Sequence, residues 1–527
     1  MLLKNIFETS FRRRSLICYI SEPFQRQLSF PVHSNERQVK SIAMAIRDLQ
    51  FNVDVCSFSD TVERVDHDFI FGQGPSFVDI VGRKTSAVAV FYATGAHSFH
   101  NNRAELDRLL ALAGRRGTRL LPKRLNHTEV LAYASDAVIC TGNQWTIGTY
   151  AGLTTGPVFR APVSVYQYPE ALLQKRDIEA ARTSFMWIGG SGNILKGLDL
   201  VIEAFAKLPY LSLHICGHVE DEILALYADE LENCRNIVCH GFLNVASADF
   251  EKLLRKCAFA VFPSASEAGA GSLLTAMGAG AIPVATIEAS VDLGDYGFPI
   301  ESPTVEGVRR AVEFAASTSP SSLAEMSRKS RTFVQKNHTF WHYDAQMRSA
   351  LREIVGSRFA ISSDSQMSKR PSAWREIIID CRIPRLTSSC LGYGWSEFLP
   401  DGIWSIGREA SLQFHVPRLP DNLVRLTFHV LPLALSTSPA RTVKVIVNGR
   451  EIAIWSFDKM EWRDVRCDVP QSLMGDCGFV DIRFLFEKSH GSAEGESAKD
   501  AGRLGFMLQT ITASDDPTMP LSTGAPT

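Results

Sequence analysis

The chain of 527 residues is long enough for about three domains. Its 45% hydrophobic and 21% charged residues suit an ordinary globular protein, and a formal net charge of -2 gives no basic excess for a nucleic-acid carrier. No apolar run approaches the roughly 20 residues of a membrane span, and 11 cysteines without a C-x-x-C pair suggest reduced thiols in a cytosolic protein, not structural zinc.

After Arg12, Arg13 and Arg14, the short stretch Leu16–Ile20 reads as a first strand and not as a signal peptide. Further strands are predicted at Val53–Phe58, Phe69–Phe71, Ala87–Tyr92 and Ala137–Cys140. A helix over Glu36–Leu49 is predicted from Val39, Ile42, Ile46 and Leu49 at helical spacing. A second series begins near Phe185, with strands at Phe185–Ile188, Leu211–Cys216, Ile237–Cys239, Ala258–Phe262 and Ile282–Ala285. Helices are predicted between them at Leu198–Ala206, Asp221–Leu231, Phe250–Lys256 and Leu273–Met277. The fold class is therefore α/β, two doubly wound Rossmann-like domains at 1–165 and 166–339, with ligands expected outside the carboxyl ends of the strands. A Ser-rich linker follows at 357–373. Beyond it the period becomes two, as in Leu412, Phe414, Val416 and in Leu426, Phe428, Val430. Asn448-Gly449 between apolar runs signals a two-residue hairpin. Residues 374–515 are expected to form a β-sandwich, and 516–527 a disordered tail.

Two stretches carry the chemistry. The first is Gly189-Gly190-Ser191-Gly192, leading through Asn193, Ile194 and Leu195 to Lys196-Gly197, after a strand and at the start of a helix. Glycines let the backbone approach a phosphate, a helix start offers unpaired amides, and Lys196 adds a charge. It is not a Walker loop, because Lys196 precedes Gly197 and no Ser or Thr follows the lysine. The second runs from Phe262 through Glu267, Gly271, Ser272 and Thr275 to Gly280. With a diphosphate on the amides of Gly271 and Ser272, Glu267 would meet a sugar hydroxyl. A plain Gly-rich turn and a surface carboxylate are the simpler readings of each stretch alone.

Together these stretches resemble the donor half of the family 4 retaining glycosyltransferases, whose two-domain fold is called GT-B. The resemblance covers about residues 15–355 and rests on Lys196-Gly197, Glu203-Ala204-Phe205, Glu267, Ala276-Met277, Gly280 and Pro283. Two positions depart from the family pattern. Ser191 stands where an arginine is common, and Thr275 stands where a glutamate binds the ribose hydroxyls. A threonine cannot accept two hydrogen bonds as a carboxylate does. The resemblance also implies that residues 340–356 cross back onto the first domain. It further implies that His97, after a strand in the N-terminal half, lies near the transferred sugar.

A capping or packing histidine is the alternative for His97. Asn101, Asn102 and Glu105 fall on the following helix, and His33, Asn35 and Asn143 are candidates for the acceptor side. Asp66-His67-Asp68 fits an Asp-x-Asp metal motif superficially, but it precedes its strand and reads as a solvated loop. Trp395 and Trp404 are either exposed platforms for sugar stacking or core residues. The resemblance implies hexosyl transfer from a nucleoside diphosphate sugar, the co-substrate, to a glycan or lipid-linked acceptor in surface polysaccharide synthesis, with retention. Catalytic roles fall to His97 and Glu267, and no metal or other cofactor is implied. A cytoplasmic enzyme is expected, with peripheral association at the inner membrane face left open. The rivals are a degenerate transferase serving as a glycan-binding scaffold, and a two-domain sugar-nucleotide epimerase.

Overall fold

The computed structural model describes residues 2–25, 34–83, 86–127, 132–168, 176–245, 247–359, 377–382, 391, 395–396, 399–406, 409–416, 423–433, 441–474, 479–486 and 504–514. His33, most of the expected linker and the expected tail lie outside them. The chain divides into two compact units, one holding 1–22 and 34–359, the other holding 360–527 with 23–33.

The first unit contains two six-stranded parallel sheets. In the first, β1 (Arg13–Tyr19), β2 (Phe51–Ser57), β3 (Phe69–Gly72), β4 (Val88–Ala93), β5 (Ala137–Cys140) and β6 (Val158–Arg160) take the order β2-β1-β3-β4-β5-β6. Helices α1 (Ser34–Asp48), α2 (Gly74–Gly82), α3 (Ser98–Arg116) and α4 (Gln144–Gly148) lie between them. The strands are short continuous apolar runs because both faces are covered; Leu16, Ile17, Val90 and Ile139 are fully buried.

The second sheet comprises β7 (Ser184–Gly189), β8 (Ser212–Gly217), β9 (Ile237–Gly241), β10 (Phe259–Phe262), β11 (Ile282–Ala285) and β12 (Phe298–Pro299), in the order β12-β11-β10-β7-β8-β9. Its helices are α5 (Ile178–Ala181), α6 (Leu198–Ala206), α7 (Asp221–Leu226), α8 (Ala228–Asn233), α9 (Ala248–Lys256), α10 (Gly271–Gly278), α11 (Val305–Ser317) and α12 (Pro320–Asn337). The single helix expected over Asp221–Leu231 is two, broken at Tyr227. The Tyr227 ring is buried there and its hydroxyl donates to Glu203 Oε1 at 2.7 Å. The edge strands β6 and β12, three and two residues long, escape the sequence pattern.

Helix α13 (Phe340–Arg358) leaves the second sheet and packs on α1 of the first. The Tyr343 and Tyr92 hydroxyls lie 3.0 Å apart, and Arg348 bridges Asp344 and Asp48 at 2.8 Å each. His338, just before this helix, is buried. Its Nδ1 donates to the Val163 carbonyl at 2.9 Å, and its own carbonyl accepts from Val165 N–H at 3.0 Å. Burial pushes the His338 pKa down to about 4. The native state therefore refuses a proton that the unfolded chain takes up below about pH 6.5, so stability is full above that pH and falls towards pH 4. The urea midpoint is expected to drop between pH 7.5 and pH 5, and to drop less in His338→Asn, which keeps a donor near Nδ1.

The second unit contains two antiparallel sheets. One has the order β13 (Ile377–Asp380), β21 (Leu504–Ser514), β16 (Leu423–Pro432), β19 (Arg463–Pro470), with β14 (Ile403–Ile406) also on β21. The other is β15 (Glu409–His415), β20 (Phe479–Phe486), β17 (Arg441–Val447), β18 (Arg450–Phe457). Phe428, Trp455, Phe484 and Phe506 from both sheets meet in one core. Asn448 and Gly449 turn the β17–β18 hairpin with φ of 48° and 83°, as a type I′ turn requires. Trp395 is a core residue, its Nε1 donating to the Ser411 carbonyl at 2.7 Å, so it is no sugar platform. Trp404 is only partly buried.

Candidate active site

In the second sheet β7 and β10 are neighbours whose onward connections run in opposite directions, which places the topological switch point between them. Open parallel sheets bind ligands outside the carboxyl ends of the strands at such a point. The loops leaving β7 and β10 hold Lys196 and Glu267. Ala265 N–H donates to the Leu195 carbonyl at 2.9 Å, which locks one loop to the other next to both residues. Gly197 makes this approach possible: its φ is +73°, and a Cβ there would lie 2.4 Å from the Pro263 carbonyl oxygen.

Lys196 is partly buried, and its Nζ donates to the Ser191 carbonyl at 3.0 Å. Burial holds its pKa below the usual lysine range, against the opposing charges of Glu267 and Glu220 and with the help of Arg124. Lys196 thus lies within the electrostatic reach of Glu267, each on a loop leaving the same edge of the sheet. Gly271 and Ser272 open α10 at the same edge, behind a cap residue, Ala270, that supplies no side-chain hydrogen bond. Ser266, beside Glu267, is buried with no hydrogen-bond partner for its hydroxyl.

The glycine loop differs from expectation in one respect. The Gly192 amide, expected to meet a phosphate, donates to Glu220 Oε1 at 2.7 Å, and Ser191 Oγ donates to the same oxygen at 3.0 Å. Glu220 N–H in turn donates to Asn193 Oδ1 at 2.8 Å, and Asn193 Nδ2 to the Gly190 carbonyl at 2.9 Å. The cause is sheet order: β8 lies beside β7, so the segment after β8 runs alongside this loop. Gly189 and Gly217 pair across the two strand ends, and a Cβ on Gly217 would fall 1.8 Å from the Gly189 carbonyl oxygen. Thr275 is buried and its hydroxyl donates to the Gly271 carbonyl at 2.7 Å, so its one proton is engaged inside α10 and not offered to a ribose.

From the N-terminal half, His97 is the cap of α3. Its Nδ1 accepts from Phe99 N–H at 3.2 Å, and its ring packs edge-on against Phe99 and Tyr150. It is buried, with a pKa lowered by burial, and the cap engages its Nδ1. His100, one turn on, is the histidine that reaches the loop after β10, its Nε2 lying 3.1 Å from the Ala265 carbonyl. Asn143 caps α4 and is engaged through both ends of its side-chain amide. Its Oδ1 accepts from Trp145 N–H and Ser290 Oγ at 3.1 and 2.9 Å, and its Nδ2 donates to Asp292 at 2.8 Å. It joins the two halves through Ser290 and Asp292. Asn35 lies in the first turn of α1. Thr141 and Thr146 donate to the carbonyls of Ala268 and Glu267 at 3.0 and 2.9 Å, which fixes the backbone of Glu267 from the opposite half.

Asn102 and Glu105, on α3, hold the segment that follows that helix. Glu105 Oε1 accepts from the amides of Lys123 and Arg124 at 2.7 Å each, and Asn102 accepts from Asn126 N–H at 2.7 Å. Of Asp66-His67-Asp68 the two aspartates are exposed, as a solvated loop predicts, and only the histidine departs from that expectation. His67 is buried with Nε2 2.9 Å from Asp54 Oδ2, and Arg14 pairs with both Asp54 and Asp66 at 2.7 and 2.6 Å. Burial raises the Asp54 pKa, but His67, the Asn5 amide and Arg14 outweigh it and leave the pKa low. Among the described residues no group of three or more His, Cys, Asp or Glu is arranged to hold a metal ion, and no helix is long and apolar enough to cross a membrane.

Residues 188–331 match the family model described as "Glycosyl transferases group 1", so the half of the first unit built on β7 to β12 contains a glycosyltransferase domain of that group. No curated protein matches the chain. Among solved structures, sucrose-phosphate synthase from Thermosynechococcus elongatus aligns at 14% identity with a TM-score of 0.47, over 65% of this chain and 99% of its own. HepE of Anabaena, in complex with UDP and glucose, aligns at 13% and 0.43 over 64% and 99%. WaaG, a glycosyltransferase involved in lipopolysaccharide biosynthesis, aligns at 16% and 0.43 over 65% and 99%.

Proposed function

We propose that the chain transfers a hexosyl unit from a nucleoside diphosphate sugar to a glycan or lipid-linked acceptor in surface polysaccharide synthesis, with retention of configuration. The observation that carries this reading is that the loops holding Lys196 and Glu267 leave the switch point of the second sheet and are tied together by Ala265 N–H on the Leu195 carbonyl, within a domain of group 1 glycosyltransferase type. As the glycosidic bond breaks, the departing diphosphate gains charge. Lys196 and the first amides of α10 meet that charge with dipoles and a cation already in place. Glu267, with its backbone held by Thr146, orients a sugar hydroxyl. The nucleotide sugar is a co-substrate, and no metal enters the proposal.

A second reading has one observation in its favour: Glu220 already fills the amide of Gly192, as it would in a degenerate domain that binds glycans without turnover. A panel of nucleotide sugars in a thermal-shift assay, followed by release of nucleoside diphosphate with and without acceptor, separates the two. A transferase raises its melting temperature with at least one donor and releases diphosphate only when acceptor is present. Donor binding without turnover leaves the degenerate reading, and no binding to any donor overturns the site.

A further inference from the structure

The segment after α3 brings Arg124 to the glycine loop. Gly192 has φ of +85°, and a Cβ built on it would lie 2.5 Å from Arg124 Cγ and 2.9 Å from Cδ. The missing side chain of Gly192 is therefore what lets Arg124 lie across the loop. The backbone of Arg124 is fixed from both ends: its N–H donates to both Glu105 oxygens, at 2.7 and 2.9 Å, and its carbonyl accepts from Asn101 Nδ2 at 2.6 Å. Its residue is exposed, and among the described residues its guanidinium has neither a hydrogen bond nor an ion pair. The guanidinium also acts on Lys196 as a like charge, depressing that ammonium's pKa.

Two cations, Lys196 and Arg124, face one loop whose own carboxylate, Glu220, is held by Gly192 N–H and Ser191 Oγ and, among the described residues, forms an ion pair with neither, so both remain for a further anion. We propose that Arg124 is the second cation of the diphosphate berth, supplied by the N-terminal half in place of a cation at position 191. This rests on the donor-site reading above and adds to it: the berth is complete only when the segment after α3 lies on the loop after β7. A guanidinium offers a planar fork that fits phosphate oxygens, so lysine replaces it only in part.

The test is calorimetric titration of the full chain with inorganic pyrophosphate and with UDP, at two salt concentrations. Arg124→Ala is expected to weaken both ligands about tenfold and to flatten the salt dependence, with an unchanged melting temperature because the side chain is exposed. Arg124→Lys should recover part of the loss. Adding Ser191→Arg to Arg124→Ala should recover more, by returning a cation from the other side. Wild-type affinity in Arg124→Ala, alongside weakened binding in Lys196→Ala, overturns the role of Arg124 and leaves the donor site standing. Failure of the wild-type chain to bind either ligand overturns the donor site itself.

Discussion

Lys196→Ala is expected to lower kcat/KM for the sugar donor by roughly 10- to 100-fold, the loss of one charge-assisted contact of about 1.5–3 kcal/mol in the transition state. The effect should fall on kcat as well as KM, because the charge on the bridging oxygen grows as the bond to the sugar breaks. The structure adds a pH signature. Burial lowers the pKa of Lys196, so the ammonium is lost, and donor turnover declines, at a pH below the ordinary lysine range. Lys196→Arg keeps its charge through that interval, and its alkaline limb should move up even if its kcat is lower. A pH profile of kcat/KM for the three proteins reads this directly. An alanine variant with wild-type kcat/KM would falsify the phosphate role of this side chain.

What can be read from the sequence is decided by how local each signal is. Strands β5 and β11 and helix α6 fall where the pattern places them, because burial on both strand faces, or on one helix face, marks consecutive residues. The Asn448-Gly449 hairpin is legible for a similar reason: only a few residue pairs tolerate two positive φ values in succession. Lys196 and Glu267 are legible because each follows a strand at the same sheet edge. Glu220 stands in the same relation to β8, but glycines and a lysine after β7 point to an anion there and give no reason to expect a carboxylate. Arg124 and His100 have no local signal. Arg124 lies in an aperiodic segment whose position is set by Asn101 and Glu105, and the reach of His100 to Ala265 depends on how the two halves dock. His67 reads as solvated in the sequence because its flanking aspartates suggest water. Its partner Asp54 sits inside strand β2, 13 residues away, where no spacing rule looks for it.

Glu267→Ala is expected to cut transfer by at least about 10³-fold, near 4 kcal/mol of transition-state stabilisation, while leaving nucleoside diphosphate affinity within about threefold. The two quantities separate because, in the proposed arrangement, Lys196, the α10 amides and Arg124 meet the diphosphate and Glu267 meets the sugar. The loop should survive the truncation: its path is fixed through backbone groups, by Thr146 on the Glu267 carbonyl, Thr141 on the Ala268 carbonyl and the Leu195 carbonyl on Ala265 N–H. Glu267→Gln divides the role further, since it retains hydrogen bonding to a hydroxyl and loses only the charge. If orientation is the main contribution, the glutamine variant keeps most of the activity that alanine loses. If the charge matters, both fall together. The charge also has a measurable effect on its neighbour. Glu267 raises the pKa of Lys196, so removing its negative charge favours the neutral amine, and the alkaline limb of the glutamine variant should move to lower pH than in the wild type. An unmoved limb together with undiminished transfer would mean that Glu267 and Lys196 do not share one cavity.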